Sequence, residues 1–449
     1  MDIIALLYCL DPYLTTTSLR QLSHIICAIL SMSGRVTMLG ISRWAGKGGS
    51  YRTVQRLFYT AFPWAMMFWL LFRHHLFNPD DVYLLAGDEC VVPKAGKLTY
   101  GLDRFFSSLY GKPIPGIAFF ALSLISIKER RSFPIQVEQM TRSGAKEATA
   151  KTKKGNKQQK QGGPKRPVGR PKGSKNKNKT QVTLTPELQF IKTMIQKFLL
   201  LLNGLFPLTY LVLDGHFGNN NALQMARQCG LHLISKLRYD AALYFPYDGP
   251  YSGHGPRRKY GAKIDYHNIP VKYLQKTSVE RGIQTNIYQA QMLHKEFAQA
   301  LNVVIIVKIN LKTQAWAHVI LFSSDLDLSY DTLIDYYRLR FQIEFNFRDA
   351  KQYWGLDDFM NIKETAVINA ASLSLFMVNV AHCLLADFRQ HNPHCGVLDL
   401  KAYFRGHKYV TETLKLLPEI PEPILLAQIY DQIATLGSIH ATKPVPNPP

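Results

Sequence analysis

Three acidic side chains are candidates for metal-dependent chemistry. Asp88 follows the apolar run VYLLA, and Asp214 follows the apolar run TYLVL. Each run predicts a short buried strand, and α/β sheets often place functional groups where strands end. Glu344 lies farther along, in the segment YRLRFQIEFNFRDAKQYW. The sequence therefore offers two aspartates at predicted strand ends and one glutamate on a predicted helix.

Convergence of these three carboxylates in space would create a site for two divalent cations. Oxygen-only ligands suit Mg²⁺ or Mn²⁺ better than softer metals. Two such ions can activate a water or a 3′-OH and stabilise the leaving oxygen of a phosphodiester. The chemistry that these residue types indicate is therefore phosphodiester cleavage or transfer.

Four polar residues share one face of a long helix that the sequence predicts over residues 332–354. Tyr337, Arg340, Glu344 and Lys351 are offset by 0, 3, 7 and 14 positions. At about 100° per residue they fall within an arc of roughly 60°. Ordinary i,i+4 pairing of Arg340 with Glu344 on a solvent face is the structural alternative. Beside a metal site, the two cations would instead meet substrate phosphates.

The net charge favours a polyanionic partner. The chain of 449 residues has 54 Lys+Arg against 32 Asp+Glu, a formal charge of +22, and 47% of its residues are hydrophobic. Residues 141–180 hold 14 of these cations and one acid, and the rest of the chain carries +9. An acidic or globally disordered protein is excluded. A globular body with a cationic insert is predicted, with nucleic acid as the first candidate partner.

Part of the insert resembles a DNA-binding motif. The segment KRPVGRPKG places Arg166 and Arg170 next to prolines and a glycine, in the manner of an AT-hook. A narrow A·T minor groove attracts such arginines. The alternative is a flexible cationic loop that only adds affinity for phosphates. A smaller cluster for phosphate contact is Arg257, Arg258 and Lys259.

The N-terminal 80 residues are predicted to be helical. A short helix is expected over Val36–Ala45, a glycine-rich break follows, and Ser50 is placed to cap a helix through Phe58. A helix, a turn and a basic helix are typical of a helix-turn-helix DNA-binding region. An ordinary helical hairpin fits the same pattern, and both interpretations remain open at this level.

The middle of the chain predicts an α/β core that is interrupted by a β-rich unit. Strands are expected at 82–86, 116–127, 132–139, 209–213 and 232–236, with amphipathic helices between the later ones. Residues 237–325 predict an inserted antiparallel unit whose first strands are Ile264–Ile269 and Val271–Leu274. Further helices are expected over 364–390 and 397–434. This order of elements is that of a ribonuclease H-like fold.

The remaining composition indicates a reducing compartment. Six cysteines occur without a C-x-x-C pair, and the N-terminus has neither a basic region nor a clear cleavage site for a signal peptide. Residues 365–386 are long and apolar enough to span a membrane. Polar residues recur through them, so a buried bundle helix is the prediction.

The spacing Tyr-x2-Arg-x3-Glu-x6-Lys at Tyr337, Arg340, Glu344 and Lys351 matches the YREK motif with every gap intact. The sequence therefore resembles the DDE transposases of the insertion-sequence-four type. In that family's pattern, Asp88 in LLAGDECVVPKAGK resembles the first catalytic aspartate, and Asp214 in YLVLDGHFGN resembles the second. The resemblance covers about residues 80–360, and the 141–180 insert is absent from many relatives.

The resemblance implies a mixed-sheet ribonuclease H-like core in which Asp88, Asp214 and Glu344 bind two Mg²⁺ or Mn²⁺ ions. Tyr337, Arg340 and Lys351 would contact DNA near the transposon end. The implied activity is cleavage at terminal inverted repeats and transfer of the 3′-OH ends into target DNA, by a homodimer on paired ends. A cytoplasmic, nucleoid-associated protein of a bacterial host is expected, without membrane insertion.

Some relatives of this type form a hairpin at the transposon end with help from an aromatic residue. Trp354 and Trp316 are candidates, and the sequence leaves the hairpin step open. The alternatives to an active transposase are an inactive or domesticated DNA-binding derivative and a nuclease without strand transfer. The expected divisions are helical 1–80, core 81–140, basic insert 141–182, core 183–236, β insertion 237–325, glutamate helix 326–360 and C-terminal helical region 361–449.

Overall fold

The computed structural model describes residues 2–107, 110–141, 178–251, 253–434 and 436–440. Arg166 and Arg170, and with them most of the basic insert, lie outside the described residues. The chain divides into two compact units. Unit 1 comprises residues 1–139, 194–208 and 339–449, and unit 2 comprises 140–193 and 209–338.

Unit 1 begins with short helices whose starts are set by capping side chains. These helices are α1 (Ile3–Leu7), α2 (Thr16–Ser31), α3 (Met38–Ala45), α4 (Tyr51–Tyr59) and α5 (Trp64–His75). As predicted, Ser50 caps α4, because its side chain accepts a hydrogen bond from the amide of Thr53. Thr15 and Thr37 cap α2 and α3 in the same way.

The sheet of unit 1 is antiparallel. Its strands are β1 (Tyr83–Pro93), β2 (Asp103–Ser107), β3 (Lys112–Ser126) and β4 (Arg131–Met140). β3 pairs with β1 over the full length of β1, and it also pairs with β2 and β4. The prediction that a strand ends just before Asp88 is therefore wrong. The strand continues because Cys90 and Val92 remain buried against the core while β3 supplies partners as far as Pro93.

Unit 2 contains a parallel strand pair with a helix between its strands. α7 (Asn220–Gln228) connects β5 (Tyr210–Val212) to β6 (His232–Leu237). The preceding helix, α6 (Pro186–Leu202), is divided between the two units at Met194. Asn219 caps α7 through a bond to the amide of Ala222. A parallel pair with a helical crossover is the local pattern expected of an α/β core.

An antiparallel extension follows β6. Its strands are β7 (Leu243–Pro246), β8 (Tyr260–Lys263), β9 (Leu274–Glu280), β10 (Ile283–His294), β11 (Leu301–Asn310) and β12 (Trp316–Ser323). The strand order from β6 is β12, β11, β10, β7 and β8, with β9 also on β10. The predicted strands Ile264–Ile269 and Val271–Leu274 are wrong. Asp265 closes a turn onto the amide of His267, and a 3₁₀ turn occupies Val271–Tyr273.

The predicted helix over 332–354 is two helices, α8 (Tyr330–Leu339) and α9 (Gln342–Tyr353). At the break, the amides of Ile343 and Glu344 bond to the carbonyls of Arg340 and Phe341, three residues back rather than four. Tightened turns of this kind inside a helix often mark functional positions. α9 ends before Gly355, whose φ of 84° suits glycine.

The C-terminal part of unit 1 is helical and supplies much of the core. It contains α10 (Glu364–His391), α11 (Val397–Leu414) and α12 (Pro423–Ala434). α10 is long and apolar enough to cross a membrane, but 89% of its most apolar window is buried within the protein. Its Asn369 accepts from the Trp64 indole at 2.7 Å and donates to the Phe58 and Thr60 carbonyls. These contacts support the prediction of a buried bundle helix.

The predicted fold class is confirmed. The chain is mixed α/β, with a ribonuclease H-like mixed-sheet core, an antiparallel β insertion and helical regions at both ends. The α10 helix is held on β4 by a polar contact between elements distant in sequence. Asn379 donates a hydrogen bond to the Pro134 carbonyl at 2.7 Å.

A buried lysine gives the core a measurable pH dependence. Lys401 is 9% exposed, donates to the Ile29 carbonyl at 2.7 Å and lies 5.0 Å from the Trp354 ring centroid. Burial lowers the pKa of Lys401 from 10.5 to about 8. Between pH 8 and 10.5 the unfolded chain therefore holds more protons, and this residue makes the free energy of unfolding rise with pH.

We expect Lys401→Met to flatten that rise. The wild type should gain up to about 3 kcal/mol relative to the variant between pH 8 and 10.5, and below pH 8 the difference should be constant. Urea unfolding at half-unit pH steps measures both free energies. Parallel curves for the two proteins would show that Lys401 titrates normally.

Candidate active site

Asp88 lies in the middle of β1, in unit 1, opposite Ala121 of β3. Its carboxylate is partly exposed, and Oδ1 accepts the amide of Glu89 at 2.8 Å. The neighbouring Cys90 side chain is fully buried, which raises the pKa of its thiol to about 12 despite the nearby Lys351 ammonium. Cys90 is therefore a packing residue, whereas the Asp88 carboxylate is partly exposed.

Arg340 joins two of the predicted catalytic carboxylates. Its Nη1 lies 2.7 Å from Asp88 Oδ2, and its Nη2 lies 3.1 Å from Glu344 Oε1. The guanidinium is only 13% exposed, whereas the Glu344 side chain is 42% exposed. Pairing of neighbouring helix residues explains the Glu344 contact but not the Asp88 contact, because Asp88 is 252 residues away in sequence. The structure thus brings Asp88, Arg340 and Glu344 together within unit 1.

Lys351 lies seven residues after Glu344 on α9 and binds protein groups. Its Nζ donates to the Val91 carbonyl of β1 at 2.9 Å and lies 3.9 Å from Asp357 Oδ1. Asp357 has a raised pKa because burial outweighs the attraction of Lys351 and Lys94. Lys351 therefore holds α9 beside β1, a role that the sequence pattern did not indicate.

A buried amide fixes α9 on the sheet of unit 1. Asn346 is 3% exposed and donates to Ser132 Oγ at 2.8 Å and to Ser123 Oγ at 3.3 Å. These bonds reach β3 and β4 from a position two residues after Glu344. The sequence motifs did not include Asn346. It could have been identified as a polar residue two positions after Glu344 on the inward face of the helix.

Replacement of Asn346 by alanine is expected to destabilise the protein by about 1–3 kcal/mol, since two buried hydroxyls lose their partner. Chemical denaturation would measure this loss. The matched variant Asn361→Ala removes another buried amide of unit 1, which bonds to the Ala366 carbonyl. Both variants should lose stability, but Asn346→Ala alone should weaken divalent-ion binding, because it also loosens the helix that carries Glu344.

Asp214 lies in unit 2, two residues after β5 ends, because the strand is one residue shorter at this end than predicted. Its Oδ1 accepts the amide of His216 at 3.1 Å, and its carbonyl accepts the hydroxyl of Ser235 at 2.6 Å. Gly218 closes this turn against β6, where a Cβ would lie 2.1 Å from the Lys236 carbonyl oxygen. The segment after Asp214 also lines a cavity of about 690 Å³ in unit 2.

The other residues predicted to contact DNA lie in unit 2 or outside the described residues. Tyr337 is partly exposed on α8. Arg257, Arg258 and Lys259 are all exposed between β7 and β8. The Arg258 guanidinium lies 4.8 Å from the Tyr247 ring centroid, so an aromatic ring supports this basic cluster.

Only one of the two tryptophan candidates is accessible. Trp354 is 1% exposed in the core of unit 1, so its proposal as a base-holding residue is wrong. Trp354 directly follows α9, and this end of the helix is packed in the core, so the indole is not accessible to DNA. Trp316 is partly exposed on β12, and its ring stacks on His267 with centroids 4.2 Å apart.

The oxygen donors of Asp88 and Glu344 in unit 1 are of the type that divalent cations such as Mg²⁺ prefer. Among the residues that the structure describes, no group of three or more His, Cys, Asp or Glu forms a ready metal site. Two carboxylates nevertheless converge on one positive group, because the Arg340 guanidinium contacts both Asp88 and Glu344. The guanidinium neutralises two carboxylates whose oxygens are hard ligands of the kind that Mg²⁺ prefers. Asp88 and Glu344 would hold a metal there.

Comparison with known families agrees with this chemistry. Residues 9–300, well over half of the chain, match the family described as DDE superfamily endonuclease. The match includes Asp88 and Asp214 and ends before Glu344. No curated protein matches the sequence at a significant level.

Proposed function

Because the chain belongs to the DDE superfamily endonucleases, we propose that it is the transposase of an insertion sequence of the insertion-sequence-four type. Its substrate is DNA. In this proposal it cuts DNA at terminal inverted repeats and joins the freed 3′-OH ends to target DNA. The observation that carries the proposal is the single guanidinium shared by Asp88 and Glu344, on two elements far apart in sequence.

The catalytic residues in this proposal are Asp88, Asp214 and Glu344. Nucleases of this superfamily generally use divalent metal ions, and we propose two Mg²⁺ ions, with Mn²⁺ as a substitute. Bound ions would activate the attacking hydroxyl and stabilise the leaving oxygen. Asp88 and Glu344 would hold a metal in unit 1, and Asp214 would add its carboxylate from the end of β5.

Arg340 has two roles in this proposal. Without metal, it neutralises Asp88 and Glu344. If Asp88 and Glu344 held a metal, the Arg340 guanidinium would donate to non-bridging phosphate oxygens of the DNA. Lys351, bound to the Val91 carbonyl, keeps α9 beside β1.

Further DNA contacts are proposed for residues away from the carboxylates. Tyr337 and Lys351 would lie near the transposon end, and the cluster of Arg257, Arg258 and Lys259 would bind phosphates. The α3–α4 pair would act as a helix-turn-helix, and Arg166 and Arg170 would enter an A·T minor groove. A homodimer on paired ends, in the nucleoid of a bacterial cell, completes the proposal.

A strand-transfer assay tests the proposed function. Purified protein, Mg²⁺, labelled donor DNA with the element's terminal repeats and a plasmid target are incubated, and nicked and joined products are separated. Nicking and joining together are the expected result. Nicking without joining would favour a nuclease, and binding without nicking would favour an inactive DNA-binding derivative.

A further inference from the structure

A second candidate site in unit 1 is a groove beside the end of β1. It has a volume of about 910 Å³ and is lined by residues of the segments 93–99, 110–115 and 357–362, together with Arg35. From Asp88 to Pro93, where β1 ends, five extended residues span about 17 Å. The groove therefore opens along the same strand that presents Asp88.

The rim of this groove is cationic. Arg35, Lys94 and Lys97 line it, against the carboxylate of Asp357. Arg35 is held in place by Asp358, with Nε 3.2 Å from Oδ1, and the Arg35 side chain remains 64% exposed. Within the described part of the chain, the Lys97 ammonium makes no hydrogen bond or ion pair. Lys97 is therefore available to an anionic ligand, and Arg35, although paired with Asp358, is exposed enough to contact the same ligand.

Lys94 has a different role, since it fixes the floor. Its Nζ donates to the Phe359 carbonyl at 2.7 Å and lies 3.6 Å from the Phe359 ring centroid. The Tyr100 amide donates to the Ile362 carbonyl at 2.9 Å and fastens the far end of the same loop. The segment 359–362 is thus held in place from both sides.

The floor carries large apolar side chains that are open to solvent. Leu98 is 77% exposed, Met360 69%, Tyr110 57% and Ile362 48%. Phosphate binding alone would need only the cationic rim. An apolar and aromatic floor is what the flat faces of nucleobases stack upon. In duplex DNA those faces are covered by neighbouring bases, and only phosphates and base edges are presented.

We propose that this groove, with its Arg35 and Lys97 rim and its Leu98, Tyr110 and Met360 floor, binds an unpaired strand of the substrate DNA at the end of the strand that carries Asp88. Phosphates lie at the rim and base faces lie on the floor. This inference rests on the proposed function for DNA as substrate and adds a site for a separated strand.

Fluorescence anisotropy without divalent ions tests the proposal on two DNAs, one fully paired and one with an unpaired flank of five nucleotides. The variants are Met360→Glu, which places an anion on the floor, and Lys97→Glu, which reverses a rim charge. Lys128→Glu is the control. Lys128 is exposed and lies just after β3, whose last residue, Ser126, pairs with Tyr83 at the start of β1. The groove lies at the other end of β1, beside Pro93.

Met360→Glu and Lys97→Glu should each weaken binding of the DNA with the unpaired flank by about tenfold, and Met360→Glu should leave fully paired DNA within about twofold. Lys128→Glu should not distinguish the two DNAs. Equal losses on both DNAs with Met360→Glu, or no loss with either variant, would overturn the proposal. Thermal melting checks that each variant is folded. A wild type that binds neither DNA would instead contradict the proposed function itself.

Discussion

Replacement of Glu344 by glutamine is expected to slow DNA cleavage by more than about 100-fold. Loss of a group that only orients a metal ligand typically costs 10–100-fold, and loss of a ligand's charge should cost more. Glutamine keeps the size of the side chain and removes the charge that meets Arg340 at 3.1 Å. Single-turnover cleavage of end-labelled donor DNA with Mg²⁺ would measure the effect.

Asp349→Asn is the matched control for Glu344→Gln. Asp349 lies on the same helix, but its carboxylate pairs with Arg348 at 2.9 Å. Five residues separate it from Glu344, about 140° around the helix. Cleavage by this variant should stay close to that of the wild type. Equal losses for the two variants would point to damage of α9 rather than to loss of a metal ligand.

Arg340→Gln is expected to separate metal affinity from cleavage. Without the guanidinium, Asp88 and Glu344 lose their positive partner, so affinity for Mn²⁺ should rise by about tenfold. Cleavage should nevertheless fall by about 100-fold or more, because the phosphate loses a charged donor in the transition state. Titration calorimetry with Mn²⁺ and single-turnover kinetics measure the two effects separately.

Arg348→Gln controls for the loss of a positive charge from the same helix. Its guanidinium pairs with Asp349 and stays 57% exposed, so neither metal affinity nor cleavage should change appreciably. If Arg340→Gln lowered metal affinity, the guanidinium would have to be a structural support for the carboxylates rather than a competitor of the metal.

Local signals predicted many elements of this fold. Ser50 and Asn219 mark helix starts because their side chains accept amide hydrogen bonds there, and Pro186 opens α6 where its missing N–H is harmless. The prediction of a strand over 264–269 was wrong because the Asp265 side chain closes a turn there. Hydrophobic alternation does not reveal such a turn. The strands β2 and β12 were not predicted from the sequence, because they are defined by pairing with β3 and β11 rather than by local signals.

The sequence predicted which residues form the candidate site better than it predicted how the structure arranges them. The spacing of Arg340 and Glu344 placed them one helical turn apart, and the structure pairs them. Periodicity could not show the break at Arg340 and Phe341, because three-residue hydrogen bonding there leaves the apolar pattern intact. Nor could it show that Asp88 sits inside a strand, since that follows from pairing with β3. Asn346 and Lys351 hold the helix through contacts with distant strands.

The most direct test of the central claim, that Asp88, Asp214 and Glu344 serve one catalytic function, is single-turnover cleavage by Asp88→Asn, Asp214→Asn and the double variant. Residues that act as a unit are strongly non-additive. Each single variant should therefore be nearly inactive, and the double variant should be no slower than the worse of the two. Near-wild-type cleavage by Asp214→Asn, or losses that multiply in the double variant, would contradict the claim.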